Sequence, residues 1–121
     1  MKTAEQIQNE LPQFYGTETW HRYNPILFPN VLLTDGATFI ADNAGAYWLI
    51  VAMSSYIPYI KGGWALARLT VKDNKGILTI DDGTNSIITQ EYAYTDFPLD
   101  EIEFNVVDND EAWVICLPSE N

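Results

Sequence analysis

One cysteine and one histidine are all that this 121-residue chain has of either type. The lone Cys116 excludes an internal disulfide framework, which fits a reducing, cytoplasmic compartment. A single Cys and a single His also leave any zinc site short of ligands that carboxylates would have to supply. Bases run out early: residues 81–121 hold eleven acids and no Lys or Arg. Residues 1–80 hold six acids and six bases, so the whole formal charge of −11 belongs to the C-terminal third. That asymmetry disfavours direct binding to nucleic acid or to an anionic membrane, since neither offers it counter-charge. Gly-rich phosphate loops, a nucleophile elbow and nucleic-acid motifs are missing too. The opening MKTAEQIQNE lacks the apolar stretch of a secretory signal.

What is present points to a globular fold. The chain is 47% hydrophobic and 13% aromatic, with four Trp and seven Tyr, and its length predicts one domain, residues 1–121, with a real core. The longest apolar stretch lies in residues 42–60, DNAGAYWLIVAMSSYIPYI. Read as a helix, it is apolar on every side and belongs inside a core rather than on a surface. Asp42 or Asn43 is placed to cap it, and Pro58 should stop it near Tyr56. Residues 44–60 are also about the shortest length that spans a bilayer. Gly45, the Ser54-Ser55 pair and Pro58 argue for a buried core helix instead.

Thr3 and Gln6 have capping-box spacing, which predicts a short amphipathic helix from Thr3 to about Leu11. A turn is expected at residues 14–18, an extended piece at residues 20–23, and a loop punctuated by Asn24-Pro25 and Phe28-Pro29. Residues 31–40 read as a strand, an Asp35-Gly36 turn and a second strand. After the central helix, strands are expected near residues 64–72, 77–81 and 87–95. Asp73 to Gly76 forms a hairpin loop in this reading, with Gly76 suited to a left-handed position. Residues 101–107 show the cleanest alternation: Ile102, Phe104 and Val106 on one face, Glu101, Glu103 and Asn105 on the other. An acidic loop at residues 108–111 leads to a return strand at residues 112–117. The plan is α+β: a short N-terminal helix and a buried central helix on a mostly antiparallel sheet of about five strands.

The pleat should turn Asp81, Glu91, Glu101 and Glu103 toward solvent. With Asp96, Asp100, Asp108, Asp110 and Glu111, they form a candidate surface for a basic protein partner, their carboxylates standing in for phosphates. A solvated acidic face kept for solubility is the plainer reading. Trp20, His21, Arg22 and Tyr23 mix aromatics with cationic or titratable groups. They form an alternative site of a small-ligand binder or minor enzyme, with Arg22 as an anion fork, or else a strand that completes the core. Cys116 lies in an apolar strand, where a free thiol acts as a small hydrophobe more readily than as the nucleophile of a pair with His21. Asp81-Asp82-Gly83 and residues 108–111 do not match the twelve-residue calcium loop and read as turns. No catalytic residues, metal or cofactor are assigned. Spare aromatics closing a homodimer are the third reading.

Phe14-Tyr15-Gly16-Thr17-Glu18, Leu33-Thr34-Asp35-Gly36, Ala44-Gly45-Ala46-Tyr47-Trp48-Leu49, Asp81-Asp82-Gly83, Tyr94-Thr95-Asp96-Phe97-Pro98-Leu99 and Leu117-Pro118-Ser119-Glu120 carry a resemblance. On these segments, spread in order over nearly the whole chain, it resembles a family of small bacterial proteins defined only as a domain of unknown function. Asn121 departs from the aromatic expected there. The resemblance implies no activity and no catalytic residues. It implies an association with plasmids, phages and other mobile elements, and so a role such as inhibiting a host defence protein.

Overall fold

A computed structural model describes residues 2–15, 20–22 and 27–120. Tyr23, the turn residues 16–18, the Asn24-Pro25 part of the loop and Asn121 lie outside the described residues. The first helix, α1 (Ala4–Glu10), starts as expected. The Thr3 hydroxyl accepts the Gln6 backbone N–H, and the Gln6 side chain accepts that of Thr3, so two orphan donors are satisfied reciprocally. A single turn of 3-10 helix, Leu11–Gln13, comes next.

Residues 31–40 do not form the predicted strand-turn-strand. The strand β2 (Val31–Leu33) is there, paired with the two-residue β1 (His21–Arg22). The chain then enters a helix, α2 (Asp35–Asn43), capped by Thr34, whose hydroxyl accepts the Ala37 N–H. Asp35-Gly36 has the composition of a turn. The tail of the chain overrides it: the Glu120 carboxylate accepts the Gly36 N–H at 2.9 Å and the Thr34 hydroxyl at 2.6 Å. An anion at a helix N-terminus satisfies exposed donors and matches the dipole.

The predicted central helix is likewise two helices. Asp42 and Asn43 end α2 instead of capping a second helix, and Gly45, at φ 61°, turns the chain before α3 (Tyr47–Tyr56). Glycine takes that left-handed conformation without a Cβ penalty. Pro58 does act as expected, and α3 stops at Tyr56 before a 3-10 turn, Ile57–Tyr59. Nor is α3 enclosed on all sides. Leu49, Ile50, Met53 and Ser54 are buried, but Trp48, Val51 and Ala52 are half-buried and Ser55 is exposed. The helices pack on the inner face of the sheet, so among the described residues this mostly apolar helix keeps a side that no second layer covers.

Among the described residues the sheet has seven strands rather than about five. The remaining strands are β3 (Trp64–Lys72), β4 (Lys75–Asp81), β5 (Ser86–Tyr92), β6 (Glu101–Asp108) and β7 (Trp113–Cys116), in the order β1-β2-β7-β6-β3-β4-β5. The sheet is mixed because β2 lies parallel to β7, while every other pairing is antiparallel. The plain meander is also revised. β5 does not lead to its neighbour; residues 93–100 carry the chain around the β3–β4 turn and back to the far side of β3. The spatial order β6-β3-β4-β5 is a Greek key. That link is fixed by the Thr95 N–H on the Asn74 carbonyl at 2.7 Å and the Val71 N–H on the Asp100 carbonyl at 2.8 Å.

The β3–β4 turn is Asp73-Asn74, at φ 54° and 61°, a two-residue connection whose twist suits a hairpin. Gly76 is therefore not the left-handed residue; it lies buried in β4, where a Cβ would come 3.2 Å from Thr95 Cγ2. The inner sheet face carries Ala65, Ala67, Leu69, Leu78, Ile80, Ile102, Phe104, Val106 and Ile115. With α2, α3 and Ile7 of α1 they form one core.

Candidate interaction surfaces

The register decides which acids share a surface. Glu101 and Glu103 lie opposite Thr70 and Arg68, Asp81 lies opposite Leu66, and Glu91 lies opposite Ile77, all on the outer face. That face is not purely anionic. Arg68 sits among the carboxylates, with Nη2 2.5 Å from Glu103 and Nε 3.2 Å from Glu101. The hydrogen bond and charge of Glu103, then the charges of Glu101 and Asp81, hold the guanidinium pKa above its usual value. Trp64 and Leu66 continue the same face along β3, where the Trp64 indole N–H donates to the Asn105 side-chain oxygen at 2.9 Å. Arg68 comes from the charge-balanced first two thirds of the chain, and nothing local in the sequence places it there.

The remaining candidate acids divide between the two ends of the sheet. Asp96 and Asp100 are exposed on the β5–β6 link, at the end that also carries the Asp73-Asn74 turn. Asp108, Asp110 and Glu111 are exposed on the β6–β7 turn. The β4–β5 turn, with Asp81 and Asp82, lies at that same end, because Trp64 pairs with Val107 and Leu66 with Asp81. These acids have local work. The Asp82 carboxylate accepts the N–H groups of Asn85 and Thr84, which hold its pKa below the usual carboxylate value. Asp81 closes onto Gly83 and Asp108 onto Asp110 in the same manner. Such side-chain closures are why Asp and Asn populate turns. Among the described residues no group of three or more His, Cys, Asp or Glu is arranged to hold a metal ion.

The Trp20 cluster is drawn outward. Trp20 is 51% exposed, and the exposed Arg22 donates to the Pro29 carbonyl. His21 is half-buried, with Nε2 2.8 Å from Asp35 Oδ1, so it ties β1 to the first turn of α2. Among the described residues, the linings of four surface cavities include none of Trp20, His21 or Arg22. His21 pairs with Leu33, which pairs with Ile115 on the inner face. Cys116 is the next residue along β7 and points to the opposite face, so the register separates it from His21.

Cys116 is buried, with Sγ 3.8 Å from the Asn105 carbonyl. Burial, then the charge of Glu120, pushes its thiol up from 9.0 to about 11. A raised folded-state pKa means the folded form keeps its proton longer than the unfolded chain does. The linked stability is therefore complete below pH 9 and is lost as pH rises toward 11. Denaturant titrations across that range should show a progressive loss that Cys116→Ala removes. An identical alkaline loss in Cys116→Ala would assign it to other groups.

One cavity has a lining that sequence reasoning did not assemble. It measures about 370 Å³ and is lined by Trp48 of α3, Tyr92 at the end of β5, and Tyr94, Thr95 and Asp96 of the link. The Trp48 and Tyr92 rings meet edge-on, with centroids 5.0 Å apart and planes at 66°. Beside them the Tyr56 hydroxyl donates to Gln90 at 2.7 Å, and burial, then Tyr56, raises the Tyr92 phenol pKa. No helix is long and apolar enough to cross a membrane among the described residues. A family model described as "Family of unknown function (DUF6876)" matches residues 5–121. No curated protein and no solved structure matches the chain.

Proposed function

The chain belongs to this family, and we propose that it is a small protein-interaction module that docks on a basic surface of a partner protein. The observation that carries this reading is the run of eleven acids without a single base over residues 81–121. Folding spreads that run, and Arg68 offsets its Glu101 and Glu103 portion. The docking surface is accordingly the end of the sheet that carries both Asp81 and Asp82 of the β4–β5 turn and Asp108, Asp110 and Glu111 of the β6–β7 turn. Turns held by their own side chains present charge with little left to order on binding, which favours complementary electrostatics. In its most specific form, the carboxylates replace nucleic-acid phosphates on a host or defence protein and inhibit it.

The test neutralises Asp108, Asp110 and Glu111 as Asn, Asn and Gln, since an amide oxygen can still accept the turn-closing N–H. Immobilised chain should retain purified basic nucleic-acid-binding proteins at low salt and release them as ionic strength rises, because exposed charges are screened over about 10 Å at 0.1 M. The triple variant should lose most of that retention, while neutralising Glu101 and Glu103 costs less. Retention indifferent to salt, or unchanged in the triple variant, overturns the proposal.

A further inference from the structure

Trp48, Tyr92, Tyr94 and Asp96 converge from three parts of the chain on one open cleft. Folding alone does not require Tyr94 there, since the residue is 71% exposed and contributes little to the core. The edge-on rings of Trp48 and Tyr92 stand at 66° to one another and make a corner rather than a flat stack. Aromatic faces carry negative electrostatic potential, so a corner of two rings with a third beside it attracts a cation from several directions. The exposed Asp96 carboxylate adds a full negative charge to the same lining, with no Lys or Arg among the described residues that form it. We propose that this cleft holds an alkylated ammonium group, the head shared by a methylated lysine side chain and a free quaternary amine.

Other ligand chemistries fit less well. A phosphate or carboxylate would face Asp96 with no counter-charge. A sugar needs several fixed donors and acceptors, but the Thr95 hydroxyl already accepts the Phe97 N–H. A bare lysine ammonium is strongly hydrated and holds its water. Alkylation removes that hydration and enlarges the apolar surface that rings can cover. The cleft lies at the opposite end of the sheet from the acidic turns, so it is a separate site from the docking surface proposed above. Failure of either leaves the other intact.

The full chain is titrated with tetramethylammonium, with a short peptide carrying trimethyl-lysine, and with the same peptide carrying unmodified lysine or a neutral tert-butyl isostere. The Trp48 indole resonance reports occupancy. Saturable binding of trimethyl-lysine peptide alone names a side chain as the source of the head group, and saturable binding of tetramethylammonium alone names a free amine. The neutral isostere should bind about tenfold more weakly than its charged counterpart. Tyr94→Ala, at an exposed position that leaves the fold in place, should weaken binding by about tenfold. Asp96→Asn should weaken it several-fold and flatten its salt dependence. No saturable shift with either alkylated probe, equal binding of the neutral isostere, or Tyr94→Ala binding as tightly as the parent overturns the assignment.

Discussion

Gly36→Ala is expected to destabilise the fold by about 2–4 kcal/mol, although alanine is the better helix former by about 1 kcal/mol. The sign is set by what occupies the space. A Cβ at Gly36 would lie 2.4 Å from Glu120 Oε1 and 2.6 Å from Leu117 Cδ1, closer than a Cβ comes to a non-bonded oxygen or carbon. Something must move, and Glu120 is the group with most to lose. Its carboxylate accepts the Gly36 N–H, the Thr34 hydroxyl and the Leu117 N–H. It thereby bolts the end of the chain to the start of α2 and to the exit of β7. Displacing it removes charge-assisted bonds at a helix N-terminus, and these are among the stronger ones. Urea denaturation should show a lower midpoint with an unchanged slope. Glu120→Ala should reproduce much of the loss, and adding Gly36→Ala to it should cost less than Gly36→Ala alone. Strict additivity of the two would mean that the glycine is required for some other reason.

That same contact marks where the sequence stops being readable. The Thr3–Gln6 capping box, the alternation from Glu101 to Val107 and the stop imposed by Pro58 are local, with cause and effect within a turn or a strand of each other. All three appear where their residue types say. Gly36 and Glu120 are 84 positions apart. Seen alone, Asp35-Gly36 is a turn; with a carboxylate delivered to it from the tail, it becomes the first turn of α2. The parallel pairing of β2 with β7 has the same character, since neither strand carries anything that names the other. Gly45 could be read in the sequence as an interruption but not as a boundary, because the apolar run passes through it. The left-handed φ it adopts is what separates α2 from α3.

The surfaces divide along the same line. Counting acids and bases located all the net charge, but a count contains no register. It could not show that Arg68 would stand opposite Glu103. It could not show that two acidic turns separated by two strands and a link would come to one end of the sheet. The aromatic cleft was less legible still. Trp48 looks like one more apolar residue of a buried helix, and Tyr92 and Tyr94 like the end of a strand. They acquire a joint meaning only when α3 crosses the end of β5, which the Trp48–Tyr92 contact records.

Phe104→Ala should cost about 3–5 kcal/mol, as the loss of a buried aromatic ring does. Phe104 is 1% exposed at the centre of β6, and its cross-strand partner on β3 is Ala67, with Ala65 the next inward residue along. The two alanines are the reason that the ring fits. Small side chains on β3 leave a trough along the inner face, and Phe104 fills it beneath the helices. Removal of the ring therefore opens a void that neighbouring alanines cannot reach into, and the cost of such a void grows with the volume that fails to collapse. Two further variants separate this account from a general sensitivity of β6. Phe104→Leu keeps most of the volume and should lose only about 1–1.5 kcal/mol. In the Phe104→Ala background, Ala67→Val should recover part of the loss, whereas in the parent it should destabilise by overpacking. If Ala67→Val is equally harmful in both backgrounds, the ring and the trough are not coupled, and the complementarity of β3 and β6 does not hold the core together.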